Sequence, residues 1–166
     1  MIFVTGGAGF IGGNFALDWL SNSQESVINI DKFTYAGNRE TLASLQGDAR
    51  HTLVQGDIGD VALITQLLAL HQPRAVLNFA AESHVDRSIH GPGEFIQTNI
   101  VGTFNLLESV RGYWSTLSAE RKQAFRFLHV STDEVYGSLK KEDPAFTESS
   151  HIEPNSPYSA SKAASD

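Results

Sequence analysis

The run Gly6-Gly7-Ala8-Gly9-Phe10-Ile11-Gly12 constrains this chain more than any other stretch. It follows an apolar run, Ile2–Thr5, and leads into apolar residues at helical spacing: Phe10, Ile11, Phe15, Leu17 and Leu20. A strand therefore has to turn directly into a helix. Glycines at 6, 9 and 12 suit a tight turn, a close approach of backbone to a pyrophosphate, and close packing of helix on strand. The helix start adds free N–H groups and a positive dipole end for phosphate. An ordinary glycine-rich turn is the competing reading.

The alternation continues down the chain. Val27–Asp31, His51–Gln55, 75–81 and 126–131 read as strands. Residues 10–21, 39–46, Val61–His71 behind an Asp60 cap, and 93–110 read as helices, and another helix starts at Tyr158. Strands separated by helices imply βαβ units. The expected fold class is α/β, a Rossmann-type doubly wound parallel sheet. Residues 140–157 are polar, hold three prolines and read as a loop. The last residue, Asp166, falls inside a helical pattern, so residues 1–166 read as one incomplete dinucleotide-binding domain of a longer protein.

Composition excludes several classes. A net charge of −7 with no basic run argues against a nucleic-acid binder. There is no cysteine, hence neither a disulfide framework nor a thiolate metal site, which fits a reducing cytoplasm. No apolar run approaches the ~18 residues of a membrane span, and the N-terminus has no signal-peptide pattern. His84 and Asp86 lack further ligands at metal spacing, so no metal is expected.

Two acids follow strand ends on the cofactor side. Asp31 lies 19 residues after Gly12, where a carboxylate takes adenosine ribose hydroxyls. It would repel a 2′-phosphate, favouring NAD over NADP, with Lys32 beside it pulling the other way. Asp57 and Ile58 could hold the adenine amino group and ring, or Asp57 could simply be a turn residue.

Tyr158 and Lys162 stand at i and i+4 and share a helix face. A phenol with a pKa of about 10 is a poor base at neutral pH. A nearby ammonium and a nicotinamide cation would lower that value. Tyr158 could then take a proton from a substrate hydroxyl while hydride leaves for NAD. Asp133 and Glu134 follow a strand directly, and read alone they are a solvated pair closing it.

TGGAGFIG (5–12) and YSASK (158–162) resemble the extended short-chain dehydrogenase/reductase superfamily. DKFTYAGN (31–38), AAESHVDRS (80–88), TNIVGT (98–103) and STDEVYG (131–137) together resemble one family within it, the dTDP-glucose 4,6-dehydratases. The Asp-Glu pair sets that family apart from related sugar epimerases. The resemblance implies that Thr132 hydrogen-bonds the sugar C4 oxygen beside Tyr158. It makes Asp133 the acid that protonates the departing C6 hydroxyl and Glu134 the base at C5. Lys162 would hold the nicotinamide ribose, and Ser83 would contact substrate at the edge of the cofactor site. Phe79, Ala80, Ala81 and Thr98 would line the NAD site with Gly6, Gly9, Phe10, Ile11, Gly12, Lys32 and Thr34.

The implied activity is NAD-dependent dehydration of a nucleotide sugar by a homodimer, with later strands and a C-terminal substrate domain beyond Asp166. An NAD-dependent epimerase, or a module that only binds dinucleotide, are the alternatives. Gly13, where the family more often has a side chain, is expected to weaken the first helical turn by about 1 kcal/mol.

Overall fold

The computed structural model describes residues 1–166. Five strands form one sheet: β1 (Ile2–Thr5), β2 (Val27–Asp31), β3 (His51–Gln55), β4 (Ala75–Asn78) and β5 (Arg126–His129). Their order is β3-β2-β1-β4-β5 and every pairing is parallel. The Rossmann-type reading therefore holds. The order reverses direction at β1, so the β1/β4 carboxyl ends form a topological switch point, where such sheets bind ligands.

The chain divides into two compact units, Met1–Ala80 with Gly102–Val130, and Ala81–Val101 with Ser131–Asp166. The first holds the sheet with α1 (Phe10–Asn22), a 3-10 helix (Arg39–Leu45), α2 (Val61–His71) and α5 (Thr103–Thr116). Side chains alternate across β1. Phe3 joins Ile28, Ile64, Leu68, Val76, Leu106 and Val110 on the face of α2 and α5, while Ile2 and Val4 join Ala16, Leu20, Val27 and Leu42 on the face of α1. Asp60 caps α2 through the Leu63 N–H at 3.0 Å, as its place before the apolar run predicts.

Gly13 corrects its reading as a simple weak point. It is buried, and a Cβ there would lie 2.7 Å from Thr41 Cγ2. The missing side chain lets α1 pack on the 3-10 helix.

The second unit is helical: α3 (Val85–His90), α4 (Pro92–Phe95), a 3-10 turn (Asp133–Tyr136) and α7 (Pro157–Ser165). Ser156 and Ser159 form a reciprocal cap at the start of α7, with Pro157 at its first position. The helix expected over 93–110 is regular only at its ends. Between α4 and α5, Ile96–Gly102 winds as a π-helix. The expected strands over 75–81 and 126–131 are shorter, ending at Asn78 and His129. Two short helices, α3 and α6 (Ala119–Ala124), lay in stretches with no apolar period. No helix is long and apolar enough to cross a membrane.

Candidate active site

In the first unit the glycine turn is held from three sides. The Gly6 N–H donates to the Ile30 carbonyl at 2.8 Å, and the Gly9 N–H to the Gly6 carbonyl at 3.1 Å. Gly6 has φ +66°, and a Cβ there would sit 2.6 Å from the Ala80 nitrogen. A Cβ on Gly12 would strike the Gly6 carbonyl oxygen. Only glycine fits either place. Helix α1 begins behind Gly9 with no side-chain cap, and Phe10 and Ile11 stand 83% and 61% exposed. Bare N–H groups at the start of a 13-residue helix, in a cradle that any side chain would fill, suit a pyrophosphate.

Asp31 is buried and already engaged. Its Oδ2 accepts from the Ala8 N–H at 2.9 Å and its Oδ1 from the Phe33 N–H at 2.7 Å. The carboxylate expected on the ribose thus also ties the glycine turn to β2, and it holds Phe33 at φ +57°, a conformation that costs a bulky residue energy. Lys32 forms an ion pair with Asp57 at 2.8 Å, and Asp57 also accepts from the Gly59 N–H at 2.8 Å. Burial raises the Asp57 pKa, but the bonds from Lys32 and Gly59 outweigh it and leave the value below the ordinary range. Asp57 is therefore a turn-closing residue as well as a ligand candidate. Ile58 does not present itself to an adenine ring: it is 4% exposed and belongs to the core with Ile30 and Leu106. Thr34 is exposed, Phe79 packs on Phe15 with ring centroids 5.3 Å apart, and the Ala80 N–H reaches Thr5 Oγ1 at 3.4 Å.

The second unit gathers the expected catalytic side chains. The Thr132 hydroxyl caps the 3-10 turn through the Glu134 N–H at 3.3 Å and is hydrogen-bonded to the Tyr158 phenol. Asp133 and Glu134 both act on that phenol through their charges. Phe95 is buried and meets the Tyr158 ring edge-on at 6.4 Å. The lowered phenol pKa expected from the sequence is corrected. Burial raises it, the Thr132 bond opposes, and the charges of Glu134 and Asp133 raise it further. Lys162 is 2% exposed, and burial lowers its own pKa against the pull of Asp166. Four residues apart, the two share α7, and desolvation is the largest cause of each shift.

Ser83 is exposed, in a loop anchored by a residue that the sequence reading missed. Asn99 is 1% exposed. Its Oδ1 accepts from the Glu82 N–H, and its Nδ2 donates to the Glu82 carbonyl, each at 2.8 Å, and to Ser161 Oγ at 2.9 Å. It joins the loop, the π-helix and α7. Its sequence signal was its place in the stretch TNIVGT (98–103), where nothing singled it out from its polar neighbours. Thr98 and Ala81 are half-buried in the same unit. No three His, Asp or Glu side chains gather as a metal site.

A parallel sheet that reverses at β1, a glycine turn opening α1 and a Tyr-Lys helix define a Rossmann-type protein of the short-chain dehydrogenase/reductase class. Within that class, residues 3–166 match the GDP-mannose 4,6 dehydratase family, and the chain belongs to it. It is 68% identical over 163 residues to the dTDP-glucose 4,6-dehydratase of Xanthomonas campestris pv. campestris (strain B100), covering 98% of this chain and 46% of that protein. It is 54% identical to dTDP-glucose 4,6-dehydratase 1 of Escherichia coli K12, covering 99% and 48%. Its structure superposes on a dTDP-glucose 4,6-dehydratase of Streptomyces venezuelae, solved with NAD and TYD bound, with TM-score 0.88 and 46% identity over 99% of this chain and 48% of that one. The UDP-glucose 4-epimerase of Thermotoga maritima has TM-score 0.81 at 30% identity, with 99% and 48% covered. The chain spans about half the length of the curated relatives it matches.

Proposed function

We propose that this chain carries the NAD-binding and catalytic segments of a cytoplasmic dTDP-glucose 4,6-dehydratase, a hydro-lyase acting on a nucleotide sugar. The observation that carries the reading is the convergence of Thr132, Asp133 and Glu134 on the Tyr158 phenol. The greater identity to dehydratases than to epimerases supports it.

A C6 hydroxyl is a poor leaving group and a C5 proton is not acidic, so elimination needs a C4 ketone first. When bound, NAD would supply the hydride acceptor for C4 and the hydride donor for C6, and C5 would then recover its proton from Glu134. Tyr158, steadied by Thr132, removes the C4 hydroxyl proton. Its phenol is raised by burial, so it needs the positive charge of the bound cofactor to act as a base. Glu134 then takes the C5 proton, now α to a carbonyl, and Asp133 protonates the departing C6 hydroxyl. Lys162 holds the nicotinamide ribose. On the cofactor side the glycine turn binds the pyrophosphate, and Asp31, Lys32 and Thr34 face the adenosine ribose.

The protein acts as a homodimer in this reading. Phe104, Leu107 and Trp114 form an exposed apolar stripe at helical spacing on α5, which suits a second copy.

With NAD and dTDP-glucose, Glu134→Gln is expected to lower formation of the 4-keto-6-deoxy product by about 10²- to 10⁴-fold while reduced cofactor accumulates. Normal product formation by that variant would remove Glu134 from the mechanism.

A further inference from the structure

Strand β2 is buried along its whole length, yet its central residue is Asn29. A buried amide requires partners. Asn29 is 0% exposed, and its Nδ2 donates to the Gly7 carbonyl at 3.1 Å and faces His51 Nε2 at 3.4 Å. Its Oδ1 has no partner. A Cβ on Gly7 would overlap the amide, so asparagine at 29 requires glycine at 7. A residue that leaves one of its own acceptors buried and unsatisfied is poorly explained as core filling. The bond it does make is the better explanation.

The other polar groups of the turn show what that bond achieves. The Gly6 carbonyl accepts from Gly9, the Ala8 carbonyl from Asn38 at 2.9 Å, and the Gly9 carbonyl from Gly13 at 3.0 Å. The Gly7 carbonyl is the remaining one, and only Asn29 reaches it. Two residues further along the same face of β2, Asp31 takes the Ala8 N–H. Side chains of one strand thus grip both sides of the Gly7–Ala8 peptide. Were this peptide to flip, the Gly7 oxygen would turn outward and oppose an anion.

We propose that Asn29 is a positioning residue for the dinucleotide. By drawing the Gly7 carbonyl inward, it leaves the turn presenting only N–H donors to the pyrophosphate. The proposal rests on the reading that this turn binds NAD.

Two variants of the 166-residue chain test it. Asn29→Leu keeps the size and removes the donor. Asn29→Asp keeps the shape but can donate to the Gly7 carbonyl only when its carboxyl is protonated. NAD affinity by calorimetry should weaken about tenfold in Asn29→Leu, the scale of one lost hydrogen bond. Asn29→Asp should bind poorly at about pH 8 and recover towards about pH 5, as a buried acid takes up its proton. Because only Asn29→Asp can pair with a charged His51, the wild-type and Asn29→Asp profiles are also taken in a His51→Gln background as the control. Affinity of a folded Asn29→Leu within twofold of wild type, or an Asn29→Asp profile parallel to wild type, overturns the proposal. If Asn29→Leu fails to fold, the Asn29→Asp profile decides. Absence of NAD binding by wild type would count against the cofactor reading alone. NMR order of the Ala8 and Gly9 amides in wild type and Asn29→Asp would then decide the grip on the turn, with equal order at about pH 8 overturning it.

Discussion

Lys162 shows what burying a single charge costs the fold. It lies on α7, 2% exposed, where burial holds its pKa below the ordinary lysine value of 10.5 and Asp166 only partly offsets that. A folded-state value below the unfolded one means that the unfolded chain keeps the proton more readily. The ammonium therefore costs the fold stability in full below the folded pKa, and that cost disappears as pH climbs towards 10.5. Lys162→Met keeps most of the stem and removes the charge. Thermal unfolding near neutral pH should show the methionine variant melting higher than wild type, with the gap closing in alkaline buffer. A lower melting point for the variant would mean that the bonds of the ammonium outweigh its desolvation. The spacing of Tyr158 and Lys162 was legible in the sequence, but the direction of the phenol shift was not. Neighbours four apart can be read from a string of letters, whereas burial of both depends on α3, α4 and the 3-10 turn packing against α7.

Elements were legible where periodicity was strong. The strands β1, β2 and β3 and the helix α2 have the ends that their apolar runs predict, because a buried strand or an amphipathic helix writes its period into the chain. What escaped were α3 and α6, whose residues are mostly polar, and the π-helical winding of Ile96–Gly102, which no side-chain period encodes. Asp133–Tyr136 is a 3-10 turn because the Thr132 side chain caps it, a local bond that the same four letters could forgo elsewhere. Helix α1 allows propensity and packing to be weighed directly. Alanine at position 12 would gain about 1 kcal/mol of helix propensity over glycine. Its Cβ, however, would meet the Gly6 carbonyl and lie 3.0 Å from Gly7 Cα, both backbone atoms with no rotamer to yield. Overpacking of that kind costs typically about 1–3 kcal/mol. Gly12→Ala is expected to lose up to about 2 kcal/mol in denaturant unfolding, and a gain in stability would show that the turn can open.

At the scale of the whole molecule, the sequence names the family through its motifs but is silent on which apolar side chains stay outside. On α5, Leu106, Ser109 and Val110 are buried, while Phe104, Leu107 and Trp114 are 61%, 39% and 41% exposed. The exposed three fall on one side of the helix, with Arg111 among them and paired to Glu108 at 2.7 Å. An apolar stripe crossed by one exposed ion pair is a surface that a second copy can cover. Each chain carries −7, so two copies repel at low ionic strength, and added salt should favour their association by screening that charge and strengthening apolar contact. Sedimentation velocity should therefore show a dimer that tightens with salt. Phe104→Glu puts a charge at the most exposed aromatic of the stripe and should weaken the dimer at least about thirtyfold, the scale of one central hot spot. Leu139→Glu changes an equally apolar residue, 46% exposed but in the other compact unit, and should leave the dimer as it is. A monomeric wild type, or equal behaviour of the two variants, would remove α5 as the dimer surface.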